Sequence, residues 1–223
     1  MIIRFKFSKI QEAKYLSHLD VLKLMTRAIS RSYIRISYSR GFNPKPRIGF
    51  SNPIPLGVDS LAEYCDIRLD RDIDLKEFSR TMDSKLLSGI KIMEAAKSVK
   101  KIPALMSEIS HILFEFRIIH IKKNPLYRES TGEIGALIEE YNQIYSSIYD
   151  YGINISKENI IFLKIIGYAK IFRDKNNKIF KYNGFTGFLN QFLKKQDMEI
   201  GSSCKKEVFF FKDGKLIKPL EVL

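Results

Sequence analysis

The order in which two apolar periodicities alternate along residues 1–98 constrains the fold more than any other feature of the chain. Residues 2–8 alternate between apolar and basic side chains, which is typical of a half-buried β-strand. The apolar side is Ile3, Phe5 and Phe7, and the basic side is Arg4 and Lys6. Residues 17–33 and 74–87 instead place apolar side chains at helical spacing and predict two helices.

Three further segments complete the pattern. Residues 46–56 predict a proline-broken edge strand or a strand-like loop, and residues 63–69 and 90–96 predict two more strands. The predicted order is therefore β-α-β-β-α-β, the ferredoxin-like arrangement with both helices on one face of an antiparallel sheet. In that arrangement Phe5 faces the helices, so we expect Arg4 and Lys6 on the open face.

A basic, proline-containing linker at residues 97–106 predicts a boundary between two domains, residues 1–98 and 107–223. The later part predicts a strand, a helix, a strand, a hairpin into another short strand, a second helix and a terminal hairpin. These segments are residues 109–121, 133–149, 160–172, 175–182, 185–195 and 207–217. We expect an α+β chain overall. The second half is either a diverged ferredoxin-like unit or another α+β fold, because no residue-level repeat connects the halves.

Basic residues are concentrated near the start of the chain. The net charge of the whole chain is +13, and residues 1–50 contain eleven Lys or Arg against two acids. Such clustering favours a polyanion partner, most often nucleic acid, although a lysine-rich composition without such a partner gives the same count. The candidate RNA- and phosphate-binding residues are Arg4, Lys6, His18, Lys23, Arg27, Arg31, Arg40, Gly41, Phe42, Asn43, Lys45 and Arg47.

The segment Ser17-His18-Leu19-Asp20 opens the first predicted helix. Ser17 and Asp20 have the spacing of a capping box, in which each side chain accepts a hydrogen bond from the other's backbone N–H. His18 is not needed for capping. As a neutral imidazole it suits a general base or a hydrogen-bond partner, and the alternative is an ordinary surface histidine.

Lys23, Arg27 and Arg31 recur every fourth residue and form one stripe along the same helix. A stripe of charge is usually a solvated helix face. This stripe contains no acid, whereas solvated faces commonly mix charges of both signs, so the pattern favours anion binding.

Residues 39–47 form the strongest local motif. Gly41 and Asn43 tolerate a positive φ, and the prolines of this segment stiffen it. Backbone N–H groups beside three cations, Arg40, Lys45 and Arg47, can cradle a phosphate. Two aromatic side chains, Tyr38 and Phe42, can stack on a base.

Several site types have no sequence support. No C-x-x-x-C-x-x-C motif is present, so the chain is not expected to hold a radical-SAM iron–sulfur cluster, and we predict no cofactor. His111 and His120 lack further ligands at metal-binding spacing, and Cys65 and Cys204 match no metal motif, so no metal site is predicted. Two cysteines far apart in the sequence favour reduced thiols and a cytoplasmic protein. No window is apolar enough to span a membrane.

The motifs of residues 1–98 together resemble the radical-SAM-associated domain family of unknown function. They are Ser17-His18-Leu19-Asp20, Arg27, Gly41-Phe42-Asn43-Pro44-Lys45-Pro46, Pro55-Leu56-Gly57-Val58 and Glu63-Tyr64; the match is weak afterwards, apart from the closing Lys218-Pro219-Leu220-Glu221-Val222. The resemblance implies a stand-alone bacterial member that works with a separate radical-SAM enzyme in RNA modification or RNA metabolism. It supplies no reaction for this chain.

Three functions remain open at this point. The first is a non-catalytic RNA-binding accessory protein with a radical-SAM partner. The second is a protein-interaction module that docks to that partner without contacting RNA. The third is a metal-independent RNA endonuclease in which His18 is the general base, a reading that rests on analogy with other tandem ferredoxin-like proteins.

Overall fold

The computed structural model describes residues 1–121, 127–156, 158, 160–170 and 176–223, with only the backbone described at 127–129. Its contacts divide the chain into two compact units. The first unit contains residues 1–109 together with 209–223, and the second contains residues 110–208. The chain therefore leaves the first unit and returns to it at the end.

Within residues 1–109, the first unit contains four strands and two main helices. They are β1 (Ile2–Lys9), α1 (His18–Ser32), β2 (Ile48–Phe50), β3 (Asp59–Arg68), α2 (Leu75–Asp83) and β4 (Ile92–Ser98), followed by the single turn α3 (Leu105–Glu108). The strand order is β4-β1-β3-β2, and each neighbouring pair is antiparallel. The element order β-α-β-β-α-β expected for residues 1–98 is thus present, and the predicted α+β class is confirmed.

The helices of the first unit pack on one face of β1. Phe5 and Phe7 are fully buried, and the Phe5 ring lies 5.4 Å from that of Phe78 on α2. Met25 of α1 and Met82 of α2 are buried in the same cluster. These contacts explain why the alternation of apolar and basic residues in β1 correctly predicted which of its side chains face the helices.

The opposite side of β1 is not the open face that the sequence suggested. Arg4 is only 1% exposed, because Pro103, Phe210 and Pro219 of the same unit lie against its guanidinium. The prediction that Arg4 points to an open face was therefore wrong. The sequence carried no sign that two distant segments of the chain cover this strand.

The second unit repeats the order of elements. It contains β5 (Ile109–His120), whose first residue belongs to the first unit, then α4 (Tyr127–Tyr145), β6 (Ile148–Ile155), β7 (Ile161–Tyr168), α5 (Tyr182–Lys195) and most of β8 (Met198–Lys212). Its strand order is β8-β5-β7-β6, the counterpart of the order in the first unit. None of the described helices is long and apolar enough to cross a membrane.

Three sequence predictions in the second unit need correction. The helix predicted at 133–149 ends at Tyr145, and the next strand, β6, was missed. Residues 179–181 form no strand, and α5 begins at Tyr182. Lys175 of the predicted turn, and residues 171–172 of the predicted strand before it, lie outside the described residues.

The predicted terminal hairpin is confirmed. The last residues of β8 pair with β9 (Lys215–Ile217), and Lys212 faces Lys215 across the turn. The two turn residues, Asp213 and Gly214, both have positive φ, at 51° and 77°. Asp-Gly is a preferred pair for such a turn, because both residues tolerate this backbone conformation.

Candidate nucleic-acid interface

The loop of residues 39–47 is held at its base by backbone hydrogen bonds. The Ser39 N–H donates to the Lys45 carbonyl at 2.8 Å, and the Lys45 N–H donates to Ser39 Oγ at 2.9 Å. Gly41 at the tip has φ of +128°, the conformation for which glycine was singled out. Asn43 does not adopt a positive φ. The base of the loop is therefore fixed while its tip projects from the sheet.

The side chains of this loop face solvent. Phe42 is fully exposed and Tyr38 is 50% exposed. Arg40, Lys45 and Arg47 are exposed, and none of the three makes an ion pair within the described residues. Unpaired cations beside an exposed aromatic ring form the combination that holds phosphate and stacks on an unpaired base.

The basic stripe on α1 is exposed but only partly free. The Arg31 Nη2 donates to the Lys85 carbonyl at 2.9 Å, and Lys23 interacts electrostatically with Asp20. Arg27 has no hydrogen bond or ion pair in the part of the chain that the structure describes. No such bond joins the stripe to the 39–47 loop among those residues, so the two cationic regions are distinct features of the first unit.

The predicted capping box at the start of α1 is confirmed. The Asp20 N–H donates to Ser17 Oγ at 3.2 Å, and the Ser17 N–H donates to Asp20 Oδ2 at 3.3 Å. The Ser17 hydroxyl also donates to Asp20 Oδ2 and lowers the pKa of that carboxyl group. Both residues therefore have a structural role.

His18 is exposed on the first turn of α1. Its ring packs edge-on against Phe50 of β2, with ring centres 5.6 Å apart. The imidazole makes no hydrogen bond within the described residues, so no group among them orients it as a catalytic base would be oriented.

The two basic residues of β1 are occupied by contacts within the first unit. Arg4 makes a bidentate pair with Asp66, with distances of 2.7 and 2.8 Å. Lys6 lies 3.9 Å from the Glu94 carboxylate and above the Tyr64 ring. Arg4 is therefore not part of the surface offered to a partner, and Lys6 contributes to it little.

Sequence reasoning missed three cations that lie near Arg47. The Arg68 N–H donates to the Arg47 carbonyl at 3.1 Å, which places these two residues side by side. Lys100 and Lys101 line the same open cavity. The sequence signal for Lys100 and Lys101 is a basic run directly after a predicted strand. Such a run by itself indicates a linker.

No group of three or more His, Cys, Asp or Glu in the described residues could hold a metal ion.

A bacterial protein family, described as an uncharacterized protein conserved in bacteria (DUF2344), matches residues 3–145. The chain belongs to this family. The DUF2344 match includes the capping box and the 39–47 loop. Among curated proteins, none matches the chain.

Proposed function

We propose that this DUF2344 protein is a non-catalytic RNA-binding protein that holds RNA on its first unit. The observation that carries the proposal is the 39–47 loop, whose fixed base presents three unpaired cations beside the fully exposed Phe42. A phosphate backbone supplies the anions that these cations lack. An exposed aromatic ring binds bases only where they are unstacked, which favours single-stranded RNA over a duplex.

The stripe on α1 extends the proposed surface. Arg27 and Lys23 are exposed cations on the same unit as the loop. Neither forms an ion pair with a buried carboxylate in the described residues. Phosphate contacts position a nucleic acid without reading its sequence. We therefore assign further phosphate contacts to the stripe, and base contacts to Phe42 of the loop.

The partner in this proposal is a separate radical-SAM enzyme, to which the chain presents RNA. This part rests on the motif resemblance of residues 1–98. It is tested by co-purification of an iron–sulfur enzyme with the tagged protein from bacterial cells, before and after ribonuclease treatment. Co-purification that survives ribonuclease supports a direct partnership, and the absence of any iron–sulfur enzyme from the purified material contradicts it.

RNA binding is tested by titrating a fluorescent single-stranded RNA oligomer with the purified protein over a range of salt concentrations. Arg40→Ala/Lys45→Ala should weaken binding and reduce the slope of log K against log salt by about 1.4, the value for two lost phosphate contacts on a single strand. Phe42→Ala should weaken binding while leaving the salt slope unchanged, because stacking releases no counterions.

Lys85→Ala/Lys91→Ala is the matched control. It also removes two exposed lysine charges from the first unit, outside the loop, and the Lys85 carbonyl that accepts from Arg31 of the stripe is backbone and is kept. If the loop variant and the control bind RNA equally well, the charge acts without a defined site and the proposal fails.

A second candidate is supported by a patch of exposed apolar side chains near the start of α1. Tyr15, Leu19 and Leu56 are each more than 60% exposed, and the Tyr15 ring lies next to Gly57. Such side chains are typical of a protein-docking surface. Leu19→Ser/Leu56→Ser should then abolish co-purification of the partner and leave RNA binding unchanged.

A further inference from the structure

Four cations from three separate parts of the sequence line one cavity of the first unit. Arg47, Arg68, Lys100 and Lys101 surround an open space of about 480 Å³, together with Met1, Ile2 and Val99. None of the described residues that line this cavity carries a carboxylate. We call it the cationic cleft.

Strand register explains how these cations meet. Arg68 ends β3 and pairs with Ile2 of β1, which on its other side pairs with Ser98 of β4. Arg47 immediately precedes β2, whose Ile48 pairs with Ile67. The cleft therefore lies at one end of the sheet, where all four strands begin or end.

The spacing of the strands sets the width of the cleft. Arg47 and Arg68 lie at the ends of adjacent strands, β2 and β3. Neighbouring strands are about 4.8 Å apart. β4 leads into Lys100 and Lys101. It lies on the other side of β1 from β3, so its distance from Arg68 is two strand spacings, about 10 Å. The cations thus flank a space broader than a single phosphate group, with two on each side.

The electrostatics of the cleft favour an anion with several charges. None of its four cations has an ion pair or a side-chain hydrogen bond in the described part of the chain, and Arg68 is half-buried. Four like charges around one space repel one another, and a ligand that carries several negative charges relieves this repulsion. Arginine additionally offers the planar fork that matches phosphate oxygens.

A second cavity of about 460 Å³ shares Lys100 and Lys101 with the cleft. Half of its lining residues are apolar, Ile102, Phe210 and Val222 among them, and the other half are polar or charged, including Glu108. A nucleotide joins phosphate groups through a ribose to a base, whose aromatic face packs on apolar side chains and whose edges bind polar groups. The pair of cavities therefore fits nucleotide phosphates better than an inorganic anion.

We propose that the cationic cleft binds consecutive phosphate groups of a nucleotide ligand, with the base or ribose toward the adjoining cavity of mixed apolar and polar lining. The proposal deepens the RNA-binding function and rests on it where the ligand is an RNA strand. A nucleoside polyphosphate carries the same chemistry. The structure assigns the phosphates to Arg47, Arg68, Lys100 and Lys101.

The test is calorimetric titration of the full chain with three probes: inorganic phosphate, ATP and an unstructured single-stranded RNA oligomer. Lys100→Ala/Lys101→Ala is compared with the matched control Lys85→Ala/Lys91→Ala. All four lysines are exposed, so neither variant disturbs the core. Arg68→Ala is a second cleft variant on the opposite side, at a half-buried position outside the 39–47 loop.

We expect inorganic phosphate to bind weakly, and each cleft variant to weaken binding of the nucleotide ligand by at least about tenfold while the control changes it less than about twofold. Loss of a hydrogen-bonded charge contact has an effect of this size. If the RNA arm alone responds, the ligand is an RNA strand. If the ATP arm responds and RNA does not bind, the cleft is a nucleotide site and the proposed RNA function fails.

Equal behaviour of the cleft variants and the control with both ATP and RNA overturns the cleft proposal. In that case RNA binding that depends on Arg40 and Lys45 still leaves the proposed function standing. The two proposals can therefore fail separately. The cleft proposal depends on Lys100 and Lys101, and the proposed RNA function depends on Arg40 and Lys45.

Discussion

The guanidinium group of Arg4 binds both oxygens of the Asp66 carboxylate, while its remaining N–H groups face the carbonyl oxygens of Pro103 and Pro219 at 3.4 and 3.3 Å. The Phe210 ring lies 5.5 Å from the guanidinium carbon. Bidentate, charge-assisted hydrogen bonds of this kind are among the stronger ones in proteins. Arg4 therefore links the middle strand of the first unit to segments far along the chain.

Removing one member of this pair leaves the other charge buried without compensation. Asp66→Ala should lower the free energy of unfolding by about 3–5 kcal/mol because it leaves the buried Arg4 unpaired, and Arg4→Ala by somewhat less, because the Asp66 left behind is partly exposed. Urea denaturation followed by circular dichroism measures both. Arg4→Met/Asp66→Leu should be more stable than either single variant, since it removes both charges, and a double variant that is less stable than Arg4→Ala contradicts this account.

The two cysteines should differ in reactivity. Cys65 is completely buried on β3, and its burial, followed by the nearby Asp66 carboxylate, raises the pKa of the thiol well above its usual value. Cys204 is only half-buried. Because the thiolate is the reactive form, iodoacetamide at neutral pH should alkylate Cys204 first and Cys65 only after unfolding.

Peptide mass spectrometry over a time course distinguishes the two sites. Addition of urea beyond the unfolding midpoint provides the control, because both thiols should then react at similar rates. Equal rates in the folded protein would show that β3 opens readily.

At the scale of the element, the start of α1 should confer a pH dependence. Hydrogen bonds from the Ser17 hydroxyl and N–H lower the pKa of Asp20 below its usual 3.8. A carboxyl group whose folded pKa is depressed contributes stability above its unfolded pKa, and this contribution is lost as the pH falls through the folded pKa. The cap should therefore act fully from neutral pH down to about pH 4 and weaken below it.

Asp20→Asn tests this dependence. The variant should be less stable than the original protein at pH 6, and the difference should shrink as the pH is lowered toward 3. Thermal unfolding at several pH values measures it. Ser17→Ala is the companion variant, and a difference that stays constant over this pH range is inconsistent with capping by an ionised carboxylate.

The elements differ in how well the sequence predicts them, for physical reasons. β1 and α1 were predicted to within about two residues, because their buried faces give clean periods of two and 3.6. β6 was missed because most of its residues are at least partly exposed and its sequence shows little alternation. Its first residue, Ile148, continues the apolar pattern of the preceding helix.

The candidate site was predictable only where it is local. The 39–47 loop contains its own turn residues and cations, so its exposure followed from the sequence. The cationic cleft depends on register between strands, since Arg68 meets Arg47 only through the pairing of β2 with β3. Helical and strand periodicity carries no information about such pairings, so the sequence alone predicts a linker at Lys100 and Lys101.

At the scale of the whole molecule, the last residues of the chain should stabilise the first unit. A chain that ends at Ile217 loses the Pro219 carbonyl, which accepts a hydrogen bond from buried Arg4. The free energy of unfolding should fall by about 1–3 kcal/mol, the cost of an unsatisfied buried donor. Hydrogen exchange should show the loss of protection in β1.

Glu221→Ala is the control for this truncation. Its carboxylate accepts a hydrogen bond from the exposed Lys218 backbone, and its removal should change stability by less than about 0.5 kcal/mol. Truncated protein with unchanged protection in β1 would show that the closing segment contributes nothing to the first unit.

The return of the chain to the first unit also affects the timing of folding during synthesis. Arg4 leaves the ribosome 215 residues before Pro219. At about 5–20 residues per second, this interval is roughly 10–40 s. All residues of the second unit are made within that interval, so the unit that begins first is the last to be completed.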